Sequence, residues 1–221
     1  MAAPAYIAKG TKGSGTGTSI SFTYMGSINA NDMLFLLVLS VGNGSITVDG
    51  SWTLERNGVI NSPPDANVKV YRKLATGSES GTENVTRSGN SPTSQRFMAQ
   101  VYQYRGNNYL TVESSSQPTI GGTSSTITWN SVTVGGTERT LAALCVNLNG
   151  SDPGTPTGYT GSATDNDGAG YYLEANTLAN VSSGSSVTAT GGSSNGWTTV
   201  HISMYNNTPS VMSGSRSFIV N

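Results

Sequence analysis

Residues 20–44 read ISFTYMGSINANDMLFLLVLSVGNG, and residues 127–150 read ITWNSVTVGGTERTLAALCVNLNG. Both stretches begin with a short alternating segment, cross a polar turn, enter a long apolar run and stop at Asn-Gly. A second pair follows in the same order, with RFMAQVYQYRG at 96–106 and WTTVHISMYNN at 197–207. A pattern that recurs after roughly a hundred residues indicates an internal repeat. The sequence therefore predicts a duplicated β unit.

The run MLFLLVLSV at 33–41 is nearly continuous apolar sequence, which is typical of either a buried helix or a strand covered on both faces. Its short length, the Asn-Gly stop and the strand-like neighbours favour the strand. The segment NVKVYR at 67–72 alternates between apolar and polar side chains, as a strand with one solvated face does, and the predicted strand spans 67–74. Further strands are predicted at 19–24, 45–48, 53–59, 84–87, 96–104, 126–134, 139–148, 158–163, 170–176, 186–190, 198–205 and 217–220.

Short strands separated by turns rich in Gly and Asn are typical of β-sandwiches. We predict an all-β fold, a two-sheet jelly-roll-like sandwich with an internal quasi-duplication and extended terminal arms. Its parts are an extended N-terminal arm (1–18), one β-sandwich domain (19–206) with quasi-repeats at about 19–106 and 126–206, and a C-terminal tail (207–221).

The composition is that of a folded, nearly neutral protein. The 221 residues include 28 glycines, charged residues make up 10%, and the formal net charge is −1. Disorder usually requires low hydrophobicity together with high net charge, whereas the apolar residues here are concentrated in strand-like runs. Nucleic-acid binding requires clustered Lys and Arg, but the basic residues are scattered. The nearest approach to a cluster, Lys69, Arg72 and Lys73, is interpreted as the solvated face of a strand.

The cysteine count and the N-terminal sequence both bear on the compartment. The single Cys145 lies in the apolar run LAALCVNL, which predicts a small buried hydrophobe and favours synthesis in a reducing compartment. The N-terminal MAAPAYIAKG lacks the apolar core of a signal peptide. The longest apolar run is too short to span a bilayer, so no membrane association is predicted.

Residue patterns that catalysis requires are weak in this chain. The one histidine, His201, is expected on the polar face of a strand as a solvated or hydrogen-bonded surface residue. The match of 192–196 (GSSNG) to a nucleophile motif is interpreted as coincidence, because it lies in a turn of an all-β chain. The glycine-rich 10–17 lacks the order of a phosphate loop and leads into a strand. We therefore expect a protein that is not an enzyme and uses no cofactor.

A calcium loop is an alternative interpretation of one acidic turn. Asp165, Asp167 and Gly168 match the start of such a loop, and Glu174 lies six positions beyond the glycine. A calcium loop of this type needs flanking helices, whereas Tyr171-Tyr172 reads as strand. A turn rich in Asp and Asn is favoured, and no metal site is assigned.

Aromatic residues supply the candidate contact sites. Trp129 and Trp197 occupy strand positions, and packing in the core or at an edge is the favoured interpretation for both and for Trp52. Sandwich proteins also bind glycans through exposed aromatics. The candidates for contact with a glycan or a partner are Trp52, Tyr109, Tyr159, Tyr171 and Tyr172.

Several short motifs resemble those of structural proteins of tailed bacteriophages. They are Ala3-Pro4-Ala5-Tyr6, the turn 28–32 (INAND) before the apolar strand, 50–54 (GSWTL), 71–77 (YRKLATG) and 104–106 (YRG). Such proteins commonly carry Gly-Asp before the long strand, where this chain has Asn31-Asp32. The resemblance implies a β-sandwich component of heads or tails, made in the host cytoplasm and located in the virion, with no catalytic residues.

The two ends of the chain are the predicted assembly elements. The arm 1–18 and the tail 206–221 are expected to add strands to neighbouring subunits. The tail contains Phe218, Ile219 and Val220, which would form an adhesive edge if left exposed. The leading hypothesis is a capsid decoration protein with other virion proteins and further copies of itself as partners. The alternative is a tail-associated module that binds a receptor or a surface glycan, and a polysaccharide-degrading enzyme is a weaker third.

Overall fold

The computed structural model of the chain describes residues 2–42, 44–61, 64–88, 95–122, 124–148, 150–190 and 196–207. These residues form seventeen β-strands and contain no helix, so the all-β prediction is confirmed. The first nine are β1 (Ala5–Lys9), β2 (Gly13–Gly15), β3 (Ser19–Thr23), β4 (Met33–Val41), β5 (Ser45–Val48), β6 (Thr53–Ile60), β7 (Ala66–Leu74), β8 (Thr82–Ser88) and β9 (Phe97–Arg105). The other eight are β10 (Tyr109–Ser115), β11 (Thr119–Gly121), β12 (Thr126–Trp129), β13 (Arg139–Asn147), β14 (Thr160–Asn166), β15 (Tyr172–Val181), β16 (Val187–Thr190) and β17 (Trp197–Asn207).

The strands pair antiparallel into four sheets. The first central sheet has the order β1-β9-β4-β7-β6, with β2 also on β9, and the second has the order β10-β17-β13-β15-β14, with β11 also on β17. The two outer sheets are β3-β8-β5 and β12-β16. The predicted two-sheet sandwich is therefore corrected to four sheets.

Three apolar layers separate the four sheets. The middle layer joins side chains of both central sheets, and each outer layer joins a central sheet to its outer sheet. Strand β4 shows why four sheets are needed. Its odd-numbered residues from Met33 to Val41 enter the middle layer, whereas Leu34, Leu36 and Val38 enter the outer one. All nine residues of β4 are buried, so the prediction of a strand covered on both faces is confirmed.

The two central sheets also agree in register. Leu39 pairs with Met98 in the first sheet, and Val146 pairs with Thr198 in the second. The register of β1 on β9 shifts between Tyr6 and Ala8, and that of β10 on β17 shifts between Val112 and Ser114. The edge strands β6 and β14 shift between Leu54 and Arg56 and between Gly161 and Ala163. These two pairs of bulges fall at corresponding places in the two sheets.

The polar turn that precedes β4 requires an unusual backbone conformation. Asn31 has a φ of 72°, in the left-handed region that glycine and asparagine tolerate best. The buried Asp32 accepts hydrogen bonds from the Asn29 amide (2.8 Å) and from Arg105 Nε (2.8 Å). Burial alone would raise the pKa of Asp32, but the bonds from Arg105, Asn29 and Gln103 hold it below its ordinary value. Asn31 therefore fills a position where glycine would also fit.

The N-terminal segment is part of the first central sheet. Residues of β1 and β2 pair with β9, and Lys9 Nζ lies 2.6 Å from Asp165 Oδ2 of the other half. The Thr140 hydroxyl of β13 donates to the Pro4 carbonyl. Within the predicted arm 1–18, strands β1 and β2 are thus bound by their own chain, because their backbone groups complete the edge of β9. The predicted tail residues Phe218, Ile219 and Val220, and residues 192–195 of the GSSNG turn, lie outside the described residues.

Candidate functional site

Two surface grooves lie where an edge of one central sheet meets an edge of the other. The β10 groove is lined by the start of β10 together with the start of β6 and the end of β7, and its members are Met33, Ser51, Thr53, Arg72, Lys73, Leu74, Tyr109, Leu110, Thr111 and Val112. The β1 groove is lined by the start of β1 together with β14 and β15, and its members are Ala5, Tyr6, Thr160, Gly161, Thr177 and Ala179. Each groove is therefore built from both halves of the chain.

The strand pairing shows which residue of one groove corresponds to which residue of the other. Thr53 pairs with Arg72 in the first central sheet, as Thr160 pairs with Thr177 in the second. Tyr6 and Val112 occupy corresponding places, since each directly precedes the bulge of its strand. The two grooves thus have the same construction but different chemistry. Arg72 and Leu74 of the β10 groove correspond to Thr177 and Ala179 of the β1 groove.

The β10 groove has an apolar floor and wall beside a charged rim. Leu74 is 42% exposed, and Leu110 and Met33 form the floor with relative exposures of 2% and 4%. Arg72 Nε lies 3.1 Å from Glu55 Oε2, which fixes the guanidinium at the rim. The groove can therefore accept an apolar segment that carries few charges.

A polar cleft adjoins the β10 groove and shares Ser51 and Lys73 with it. Its other walls are Tyr24, Thr76, Ser78, Glu79, Ser80, Thr82 and Glu83. Lys73 Nζ lies 5.7 Å from the ring centres of both Tyr24 and Trp52, and 3.7 Å from Glu79 Oε1. Burial would raise the pKa of Glu79, but bonds from the Thr76 and Gly77 amides and the Thr76 hydroxyl hold it below the ordinary value. The cleft thus holds one ammonium and two carboxylates beside two aromatic rings.

The five aromatic candidates occupy three separate places. Trp52 is partly buried, and its Nε1 donates to Glu83 Oε1 at 2.7 Å. Tyr109 lines the β10 groove, which Ser51 and Thr53 on either side of Trp52 also line. Tyr171 and Tyr172 lie at the start of β15, where Tyr171 packs against the middle layer. The structure therefore brings Trp52 and Tyr109 to the same region, and it places Tyr171 and Tyr172 away from them.

Tyr159 and His201 form a buried pair, which corrects the prediction for both residues. His201 is fully buried, because the face of β17 that was expected to meet solvent is covered by the outer sheet β12-β16. Its Nδ1 donates to the Asn130 carbonyl at 3.0 Å, so the neutral ring presents Nε2 as an acceptor for the Tyr159 hydroxyl. Burial lowers the pKa of His201. Tyr159 is therefore a packing residue, and its ring is not available to a glycan.

The acidic turn is neutralised by side chains of the first half. Asp165 pairs with Lys9 at 2.6 Å and with Lys12 at 3.7 Å, and Asp167 pairs with Arg96 at 3.0 Å. Asp167 Oδ1 also accepts from the Ala169 amide at 2.7 Å. The acidic turn therefore joins the two halves through ion pairs. Glu174, the last residue of the calcium-loop pattern, lies in β15 and makes none of these contacts.

Cys145, Trp129 and Trp197 were predicted to pack in the core or at an edge, and all three are buried. Cys145 is fully buried, and burial raises the pKa of its thiol. Trp129 is fully buried and donates to the Leu144 carbonyl at 2.9 Å, and Trp197 is 4% exposed. The core predictions for these three residues are confirmed.

Within the described ranges, no group of three or more His, Cys, Asp or Glu side chains is arranged to hold a metal ion. No helix in the same part of the chain is long and apolar enough to cross a membrane.

Sequence reasoning missed several of the groove and cleft residues. Leu74, Glu79 and Glu83 become neighbours of Trp52 or Tyr109 only through strand pairing and the turn between β7 and β8. The available signal was the motif 71–77 (YRKLATG), whose second half enters that turn.

The fold and the grooves define the chain as an antiparallel β-sandwich protein with edge-to-edge surface sites. Comparison with protein-family models, with curated proteins and with solved structures finds no match in any of the three.

Proposed function

We propose that this protein is a non-enzymatic structural component of a bacteriophage particle, a decoration protein that binds the capsid and neighbouring copies of itself. The observation that carries the proposal is the pair of corresponding grooves at opposite edges of one body. A subunit that connects neighbours in a lattice needs more than one docking position on a rigid scaffold. The short motifs that resemble those of phage structural proteins support the same proposal.

The occupant proposed for the β10 groove is the segment Phe218-Ile219-Val220 of a neighbouring copy. The described chain leaves β17 at Asn207, which pairs with Tyr109 at the mouth of the groove. Because β17 runs antiparallel to β10, the chain at Asn207 is directed away from its own groove. The ten residues 208–217 can span up to about 35 Å. A segment that follows this length of chain can lie well beyond the end of β17.

Self-association tests this contact. We expect the full chain to form larger species in sedimentation velocity runs as its concentration rises, and we expect both deletion of 208–221 and Leu74→Asp to abolish them. Ile120→Asp is the matched control, because Ile120 is 48% exposed but lies outside the groove. A monomeric full chain at every concentration, or unchanged association of the deletion, would overturn the tail contact.

Location in the particle is tested separately. Antibodies against the chain should label capsids when particles from the culture that produces the protein are viewed by immunogold electron microscopy. Label at the tail would favour the alternative location, and particles without label would contradict the proposal for both. The result does not depend on how the tail segment binds.

A tail-associated module that binds a surface glycan is the second candidate. The observation that favours it is the polar cleft, where Lys73, Glu79 and Glu83 lie beside Tyr24 and Trp52. Sugar sites commonly combine an aromatic ring with a few fixed polar groups. A glycan array should then show a specific signal that Lys73→Met removes. Binding that survives this substitution would exclude the cleft.

We also infer that the chain arose by duplication of a β unit, with copies at 5–105 and 109–207. The support is the shared strand order and the two pairs of corresponding bulges. These limits differ from the predicted 19–106 and 126–206, because β1 and β2 have counterparts in β10 and β11. A jelly-roll connectivity within the copies stays a prediction.

A further inference from the structure

The polar cleft beside the β10 groove carries a surplus negative charge. Its charged members are one ammonium, that of Lys73, and the two carboxylates of Glu79 and Glu83. Lys73 Nζ lies 3.7 Å from Glu79 Oε1, and the two side chains are only 13% and 4% exposed. Because these two charges neutralise one another, the charge of Glu83 is left over.

Glu83 is held in place by neutral donors. Its Oε1 accepts a hydrogen bond from Trp52 Nε1 at 2.7 Å, and its Oε2 accepts one from the Tyr24 hydroxyl. In the part of the chain that the structure describes, no Lys or Arg forms an ion pair with Glu83. Each carboxylate oxygen has two lone pairs, so Glu83 can accept further bonds from a cation. The cleft thus presents a fixed anion that lacks a cationic partner.

The chemistry around this anion suits a guanidinium group. A guanidinium binds a carboxylate through two parallel N–H donors, and it also stacks on aromatic faces. The rings of Trp52 and Tyr24 both donate to Glu83, so both lie beside the carboxylate. An arginine side chain that enters the cleft therefore meets an anion and two aromatic rings at once.

The segment 208–221 (TPSVMSGSRSFIVN) contains one charged residue, Arg216, two positions before Phe218. Two residues of extended chain span about 7 Å, and their side chains point to the same side. The cleft and the β10 groove adjoin, since both are lined by Ser51 and Lys73. An extended segment that places Phe218 in the groove therefore brings Arg216 to the cleft.

We propose that Arg216 of a neighbouring copy binds Glu83 in the polar cleft and fixes the register of the segment in the β10 groove. This inference rests on the proposed tail contact between copies. The apolar residues 218–220 supply contact area but little directionality, because apolar contacts are not directional. The ion pair supplies the direction, and its one positive charge matches the surplus charge of the cleft.

A double-mutant cycle on the association constant of the full chain, measured by sedimentation, tests the pair. We expect Arg216→Ala and Glu83→Gln each to weaken association about tenfold or more, as expected for a hydrogen-bonded charge. The double variant should associate no more weakly than either single variant, because both remove the same interaction. Added sodium chloride should weaken association of wild type more than that of Arg216→Ala.

Two matched controls should associate like wild type. Ser217→Ala changes the neighbouring side chain of the same segment, which points to the opposite side in an extended chain. Asp152→Asn removes an exposed acid that lies outside the cleft. A loss of association in either control would show that the effect is not specific to the pair and would overturn the proposal.

The remaining outcomes separate this proposal from the tail contact on which it rests. If Arg216→Ala associates as tightly as wild type while deletion of 208–221 abolishes association, the ion pair is overturned and the tail contact stands. The same result is expected if the cleft serves a glycan instead. Additive losses in the double variant would show that Arg216 binds elsewhere, and a monomeric wild type would overturn both proposals.

Discussion

Single residues in this protein are constrained mainly by what covers them. His201 illustrates the point, because sequence alternation placed it on the correct face of β17 but gave no indication of a second sheet over that face. Its partners are the Tyr159 hydroxyl and the Asn130 carbonyl, both from segments distant in sequence. The burial of His201 makes its neutral form part of the folded state.

The pH dependence of stability should report this burial. The pKa of His201 is lowered from its ordinary 6.5, so the unfolded chain binds a proton that the folded chain resists. Below pH 6.5 this difference lowers the unfolding free energy, whereas the buried Glu174, whose pKa is raised to about 8, acts in the opposite direction as the pH drops below 8. His201 is the only histidine in the chain, so we expect the unfolding free energy of wild type, measured in urea, to fall relative to that of His201→Gln as the pH drops through 6.5. An unchanged slope in the variant would contradict a buried, neutral histidine.

Asn31 is a second position where the backbone limits the choice of residue. Its φ of 72° suits asparagine or glycine, whereas a β-branched side chain is strained in the left-handed region. Asn31→Val should lower the unfolding free energy by about 1–2 kcal/mol. Asn31→Gly is the control and should stay within about 0.5 kcal/mol of wild type. Equal stability of the two variants would show that the turn relaxes to another conformation.

At the scale of elements, strand prediction worked where apolar periodicity was strong. The bounds of β4 and β5 agree with the predicted 33–41 and 45–48. The missed strands are β1, β2, β10 and β11, which are the first two strands of each half. Two of these are three residues long, GSG and TIG, and the edge positions of all four leave few side chains to bury. Their pairing depends on the available edge of β9 or β17, which local sequence does not encode.

The N-terminal strands should be needed for stability. Deleting residues 1–18 removes the partners of the β9 edge, the Lys9–Asp165 ion pair and the bond from Thr140 to Pro4. We expect a melting temperature at least about 10 °C lower, or an insoluble product, since these losses exceed a few kcal/mol. The matched deletion of 208–221 leaves the described strands complete and should melt like the full chain. A deletion of 1–18 with wild-type melting would restore the free-arm interpretation.

At the scale of the whole molecule, the sequence predicted a repeat and a sandwich but underestimated the number of layers. The run MLFLLVLSV already required cover on both faces, and RTLAALCVN in β13 required the same. Two such strands, each apolar on both faces, need three apolar layers. The candidate sites follow from this geometry, because the grooves exist only where edges of the two central sheets meet. The motif 71–77 supplies one wall of the β10 groove, but it does not encode the edge of the other sheet that completes the groove.

The middle layer packs the two halves against one another, and we expect them to unfold as one cooperative unit. Each half alone would expose the apolar face of a six-stranded sheet, including residues such as Phe35 and Leu37 in one and Leu144 and Ile202 in the other. We expect the separately expressed segments 1–107 and 108–221 to be insoluble or to associate with one another when mixed during refolding. Two soluble segments that remain monomeric after mixing would argue that the middle layer is not a true core.

Differential scanning calorimetry of the full chain tests the central claim most directly. A shared middle layer predicts a single transition whose calorimetric and van't Hoff enthalpies agree. Two resolved transitions, each reproduced by one of the segments alone, would contradict it.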